Sequence, residues 1–492
     1  MIQRRRAGIA AVTLTGVLMA WVAVQPALAQ KSGAPKITPQ PSVSDWDIGA
    51  PNTSPSPAPS SKARSSTAAP TPPASVQGLP PAVEDADPSS TAEPVVQPVP
   101  VREPLMNWPV ADAQALLTTI QGIKSEGLFA KDYQPEALKA AIAQGPGPAL
   151  DQVASRSFAW LIEDLRDGRT PVPARVQWFA VDPDQDKMPT ATIMEQALAS
   201  HDVAGVVASL APTHPDYAVL KQALADTPEA QAARKSLIRV NMDRWRWLAH
   251  DLGEVYLITN VPEFQLRLTV KNRNIRTYKT VVGKPGRTAT PQLAETVSAV
   301  VFNPTWTVPQ SIVKGEGLGA KVMANPGWAK AAGYKGTRAE NGMITVVQQP
   351  GKNNALGLMK IDMPNPHAIY LHDTPQKQYF NSEVRAFSHG CIRTERAVEL
   401  GMTMAILGAQ MPADQAADLS RAGVYQKVAM TRTFPVYITY MTMARSIDGE
   451  LKKFADIYGR DTPVLASFAA PREAKTTQRA SEEPIIQLDN PL

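Results

Sequence analysis

Cysteine is almost missing from this chain: 492 residues contain one, Cys391. A lone sulfur cannot close a disulfide within the chain, and it is too few for a cysteine-rich zinc or iron–sulfur site, so inert burial or chemistry remains. Histidine is also scarce. Of six, His367, His372 and His389 stand close to Cys391 in sequence, while His201, His214 and His250 fall in the first half. A large charge of one sign is absent too: the net charge is +5, and without Arg4, Arg5 and Arg6 it is +2. That excludes a nucleic-acid footprint. No internal repeat is visible.

Proline, by contrast, is plentiful at 45 residues, and much of it lies early. Arg4 to Arg6 precede an apolar stretch from Ala7 to Val24 and then Ala27-Leu28-Ala29, the small-x-small form of a secretory cleavage site. We read 1–29 as a signal peptide, with an uncleaved membrane anchor as the alternative, since the apolar stretch is about long enough to span a bilayer. Cleavage would leave no transmembrane segment and release an exported protein. Residues 30–104 are dominated by Pro, Ser, Ala and Thr, which predicts an extended tether unable to bury a core. The end of the chain, 466–492, is similarly polar and is expected to be disordered. With no paired cysteines in an exported chain, stability must come from core burial, which this length allows.

Between these ends the hydrophobic period changes once. Over 105–252 apolar residues recur at helical spacing: Leu116, Leu117, Ile120 and Ile123, then Leu138 and Ile142 behind Pro135, then Leu150 to Leu165 ending at Gly168. Arg239, Arg244, Arg246, Trp245 and Trp247 cluster at the end of this region and suit either helix packing or binding of a glycan or anionic surface. From Gly253 the pattern alternates, as at Phe264, Leu266, Leu268 and Val270 before the turn Lys271-Asn272-Arg273-Asn274. Further strands are predicted at 296–302, 343–348, 356–362, 368–372 and 436–443. The interruption after Asn303 predicts an insertion bordering a cleft.

The chemistry-bearing residues fall together. Ile369-Tyr370-Leu371-His372 predicts a strand whose last residue projects where the chain turns outward at Asp373. Ser388-His389-Gly390-Cys391 leads into Thr394-Glu395-Arg396-Ala397, which reads as a helix start, so Cys391 is expected near a helix N-terminus that favours its thiolate. Arg393 would add to that field, and backbone N–H groups around Gly390 and Cys391 would suit an oxyanion. His372 would take the thiol proton and Cys391 would attack a peptide carbonyl. An inert buried cysteine remains open on residue counts, as does metal ligation by His372, His389 and Cys391, which lacks a nameable fourth ligand.

The run from Ile369 to Pro375, followed by Arg385-Ala386-Phe387-Ser388-His389-Gly390-Cys391-Ile392-Arg393, resembles the L,D-transpeptidase (YkuD) family. Asn303 to Ile312, Pro350 to Gly357 and Asp456 to Gly459 are similar to its large periplasmic YcbB-type branch. The resemblance implies an α+β protein: a mainly antiparallel β catalytic domain over 253–465, a capping insertion at 304–345, and a helical scaffold before them. It implies Cys391 as nucleophile, His372 as base, the carbonyl of Asp373 orienting the imidazole, and Ser388, His389, Gly390 and Arg393 shaping the site. No cofactor or metal is implied. The expected substrates are peptidoglycan stem peptides, joined by 3-3 or 1-3 cross-links; trimming by water and a non-catalytic wall-binding scaffold are the alternatives. Where many relatives carry a peptidoglycan-binding module, between His214 and Arg239, this chain has only a short helical connector.

Overall fold

A computed structural model describes residues 99–100, 102–476, 478–486 and 488, so the expected leader and nearly all of the Pro-rich tether lie outside the described residues. The first part is helical. Helices span Val110–Gly122, Pro135–Gln144, Pro148–Asp167, Thr190–Ser200, Pro215–Asp226 and Ala232–Trp245, with shorter turns between them. Pro135, Pro148 and Pro215 each occupy the first helical position, where a missing N–H costs nothing.

Sixteen strands follow among the described residues. They are β1 (Val255–Asn260), β2 (Gln265–Val270), β3 (Arg273–Gly283), β4 (Leu293–Thr296), β5 (Ala299–Phe302), β6 (Trp306–Thr307), β7 (Tyr334–Arg338), β8 (Ile344–Gln348), β9 (Met359–Asp362), β10 (Leu371–His372), β11 (Ala386–Ser388), β12 (Ile392–Thr394), β13 (Gln426–Ala429), β14 (Pro435–Thr439), β15 (Met443–Arg445) and β16 (Leu451–Lys453). The main sheet runs β13-β5-β9-β10-β12-β3-β2-β1-β14-β4, with β11 beside β3. Most pairs are antiparallel; β1–β14, β10–β12 and β3–β11 are parallel. The fold is therefore α+β, a helical region followed by a mixed, mostly antiparallel sheet.

One sheet face carries Leu257, Leu266, Val282, Ile361, Leu371 and Ile392 into a core closed by Leu400 and Met404 of the helix Ala397–Ala409. On the other, Tyr256 and Tyr437 pack into the core of the helical region. The tryptophan–arginine cluster mostly serves that packing. Arg244 pairs with Asp461 at 2.7 Å, Arg246 lies beside Asp243, and Trp247 meets Trp178 edge-on.

Three expectations need correction. The stretch 296–302 is two strands, because the chain leaves β4 at one end of the sheet to enter β5 near the other. The insertion, expected over 304–345, runs on through β8 to Gln348, and it holds three short helices within 310–331 and the sheet β6-β8-β7. The described part of 466–492 is not a free tail: the helix Asp461–Ala469 enters it, and beyond that Arg472 lies 3.0 Å from Asp164 and 3.1 Å from Glu163. Polar composition failed as a guide because the binding surface for this segment is itself charged and buried.

Candidate active site

Strand register decides what faces what. Lys360 on β9 is opposite His372 on β10, His372 is opposite Arg393 on β12, and Arg393 is opposite Val281 on β3. Paired residues share a face and alternate residues return to it, so Lys360, Tyr370, His372 and Arg393 line up on one side. Leu371 and Ile392, the intervening pair, turn to the core. Cys391, two residues before Arg393, stands on the His372 side. Tyr370 and His372 meet edge-on with ring centroids 5.5 Å apart.

The electrostatics follow from that row. His372 is buried, and burial, then the neighbouring cations Arg393 and Lys360, push its pKa down to about 3; the backbone of Asp373 and Leu356 acts the other way. Its imidazole is neutral. Neither backbone group completes a hydrogen bond to Nδ1, which has no partner among the described residues. Cys391 is half-buried, and its Sγ donates to the carbonyl of Ala368 at 3.6 Å. Burial pushes its thiol up, opposed by Tyr370, Lys360 and Arg393.

The expected helix N-terminus at Cys391 is overturned. Residues 392–394 are strand β12, and the helix begins only at Ala397, with Arg396 as its cap. The dipole therefore lies at the far end of β12 and does not lower the thiol. Thr394 is drawn into strand pairing with Thr280, which outweighs its capping preference.

The turn before Cys391 is held from both sides. Ser388 Oγ donates to the carbonyl of Cys391 at 2.6 Å and accepts from Gly390 N–H at 3.2 Å. Gly390 N–H is thus already engaged, contrary to its expected oxyanion role. Gly390 has φ of +121°, open to glycine and strained for any side chain. Its carbonyl accepts from Thr290 Oγ1 at 2.7 Å, and Thr290 in turn receives Gly283 N–H at 2.9 Å.

Asp373 is a brace. One carboxylate oxygen accepts from Leu358 N–H at 3.0 Å, and the other meets Lys377. Arg393 donates to Gln376 at 2.8 Å and lies over the Tyr379 ring. Tyr370, Lys360 and Thr290 were missed from sequence as parts of the site. Tyr370 was findable, since it precedes His372 by two residues on a strand; Thr290 comes from a distant loop and carries no local signal.

Residues 254–401 match the family model of the L,D-transpeptidase catalytic domain, and residues 106–224 match that of the scaffold domain. The chain carries an L,D-transpeptidase catalytic domain behind a scaffold domain. It is similar to a Haemophilus influenzae protein named "Putative L,D-transpeptidase", 27% identical over 223 residues, which are 42% of this chain and 45% of that one; the chain thus spans about half the length of this relative. Among solved structures it is similar to an L,D-transpeptidase from Mycobacterium smegmatis (15% identity, TM-score 0.20, 38% of this chain and 59% of that one). It is similar also to L,D-transpeptidase 3 from Mycobacterium tuberculosis (11% identity, TM-score 0.20, 38% and 61%).

Within the L,D-transpeptidase domain, the insertion reaches the thiol's surroundings at two points. Glu316 Oε1 lies 3.3 Å from His389 Nε2, and Trp306 contacts the Tyr370 side chain. Among the described residues of the domain no group of three or more His, Cys, Asp or Glu side chains is placed to hold a metal ion.

Proposed function

We propose that this protein is a cysteine-dependent L,D-transpeptidase of peptidoglycan, exported through its N-terminal leader to the periplasm. The observation that carries the reading is a half-buried thiol against the Tyr370 side chain, whose ring in turn meets the neutral imidazole of His372 edge-on. Thiol and imidazole both rest uncharged, so proton transfer is uphill and proceeds together with bond formation. As Cys391 Sγ attacks the donor carbonyl, its proton passes to His372; the tetrahedral intermediate collapses to a thioester, and the proton leaves with the amine of the departing D-residue. The side-chain amine of an acceptor diaminopimelate then attacks the thioester, restoring the thiol and forming the cross-link without ATP. The oxyanion falls to the amide of Cys391, since that of Gly390 is committed to Ser388.

With water as acceptor the same acyl-enzyme would trim the stem peptide. Incubation with purified muropeptides and mass spectrometry of the products separates the outcomes. The reading predicts cross-linked dimers with loss of the terminal D-residue, absent with Cys391→Ala. Unchanged muropeptides with folded protein would contradict it, and a non-catalytic wall-binding role would then stand in its place.

A further inference from the structure

A cavity of about 420 Å³ lies where the helical region meets strands β1, β2 and β14. That volume lies within the range of ligand sites, ~300–1,000 Å³. Its floor includes Asn260, Arg267 and Thr439, its wall Trp245 and His214, and its rim Arg273. The register relates it to the thiol: Arg267 pairs with Thr277, and Arg393 pairs with Val281, four residues further along β3. An even separation keeps both on one face, and four residues of strand are ~13 Å. The cavity thus opens on the sheet face that carries Cys391.

Its chemistry is specific. Trp245 is buried, yet its indole Nε1–H has no hydrogen-bond partner among the described residues. One indole face is stacked on the His214 ring, with centroids 4.3 Å apart. His214 is itself committed, its Nε2 to the Tyr256 hydroxyl at 3.1 Å, and burial holds its pKa down at about 4, so it adds no charge. Arg267 is neutralised by Glu263 and Arg445 by Asp216. Arg273 is exposed, has no ion-pair partner among the described residues, and leaves the site one net positive charge. An aromatic wall, the exposed side-chain amides of Asn272 and Asn274, and one free guanidinium together match a sugar bearing a carboxylate.

We propose that this cavity is a binding site for a carboxylate-bearing saccharide, distinct from the thiol site, which holds a neighbouring stretch of the polymer whose peptides reach Cys391. The link to the polymer rests on the transpeptidase reading; the saccharide site does not. The carboxylate comes either from the lactyl group of a denuded muramyl sugar or from an attached peptide.

Isothermal titration calorimetry on the full chain carrying Cys391→Ala tests this without turnover. The probes are a muramyl disaccharide with a free lactyl carboxylate, the disaccharide–tripeptide, and neutral chitobiose. At least one acidic probe should bind saturably, and which one binds identifies the source of the carboxylate. Chitobiose should bind at least roughly tenfold more weakly, and Arg273→Glu, a surface change, should weaken the acidic probe by at least roughly tenfold, as for loss of a charge-assisted hydrogen bond. Circular dichroism and carbapenem acylation of Cys391 in the otherwise native Arg273→Glu chain should be unchanged. Equal affinity for chitobiose, no binding by either acidic probe, or indifference to Arg273→Glu would overturn the proposal. Failure of the carbapenem to acylate Cys391 would overturn the transpeptidase reading and leave the saccharide site standing.

Discussion

His372 is buried between a cation on each neighbouring strand, and burial first, then the cations, decides its resting charge. Lys360 and Arg393 flank it in register, and together with burial they hold it neutral down to about pH 3. The proposed base is therefore in its accepting form across the whole neutral range. His372→Ala should lower the acylation rate by roughly 10²–10⁴-fold, the usual contribution of a positioned base, with the fold retained by circular dichroism. A near-normal rate would remove it from that role. The thiol is displaced oppositely, above the ordinary thiol range, chiefly by burial. Iodoacetamide labelling of Cys391 should keep rising beyond pH 9; a plateau near neutrality would show a thiolate–imidazolium pair instead. The Ser388-to-Cys391 turn was legible in the sequence because its four residues are contiguous and glycine marks the sharp backbone bend. The raised thiol was not, because it depends on what packs around Tyr370 and on where the next helix starts.

Among the elements, helices were the most readable. Proline at their first positions and glycine after Leu165 and Glu126 marked their limits within a few residues, because these signals are local. The sheet was readable as alternation but not as order: nothing near Thr296 indicates that β4 and β5 belong to separate parts of it. The C-terminal segment was misjudged for the same reason, since its partners lie some three hundred residues earlier. Arg472 is buried against Glu163 and Asp164, and Asp164 is fully enclosed. Arg472→Ala leaves these carboxylates with less compensation, and Lys475, 3.7 Å from Asp164, answers only part of it. The expected cost is about 3–5 kcal/mol in a denaturant titration. A loss below 1 kcal/mol would mean that the segment is only laid against the surface.

Across the whole molecule, stability should depend on pH through its buried histidines. His214 and His372 have folded pKa values of about 4 and about 3, below the unfolded ~6.5, so the unfolded chain takes up protons first as pH falls. Their contribution is complete above pH ~6.5 and is lost as pH falls through the folded values. His250, raised by its bond to Asp184, works oppositely and loses its contribution above pH ~6.5. The denaturation midpoint should therefore fall on acidification from pH ~6.5 toward 4, against the smaller opposite pull of Glu295, which burial and then Glu483 push up to about 9; a flat profile there would contradict the neutral burial of both imidazoles. The scaffold helices and the sheet share a packed core through Tyr256 and Tyr437, so this loss should register as a single transition. The account as a whole stands on the reactivity of one sulfur. A carbapenem carbonyl resembles the acyl donor, so intact-mass measurement of the folded protein after carbapenem treatment tests it most directly: one adduct, mapped to Cys391 and absent in Cys391→Ala, is the predicted result, and folded protein at its unmodified mass would contradict the account.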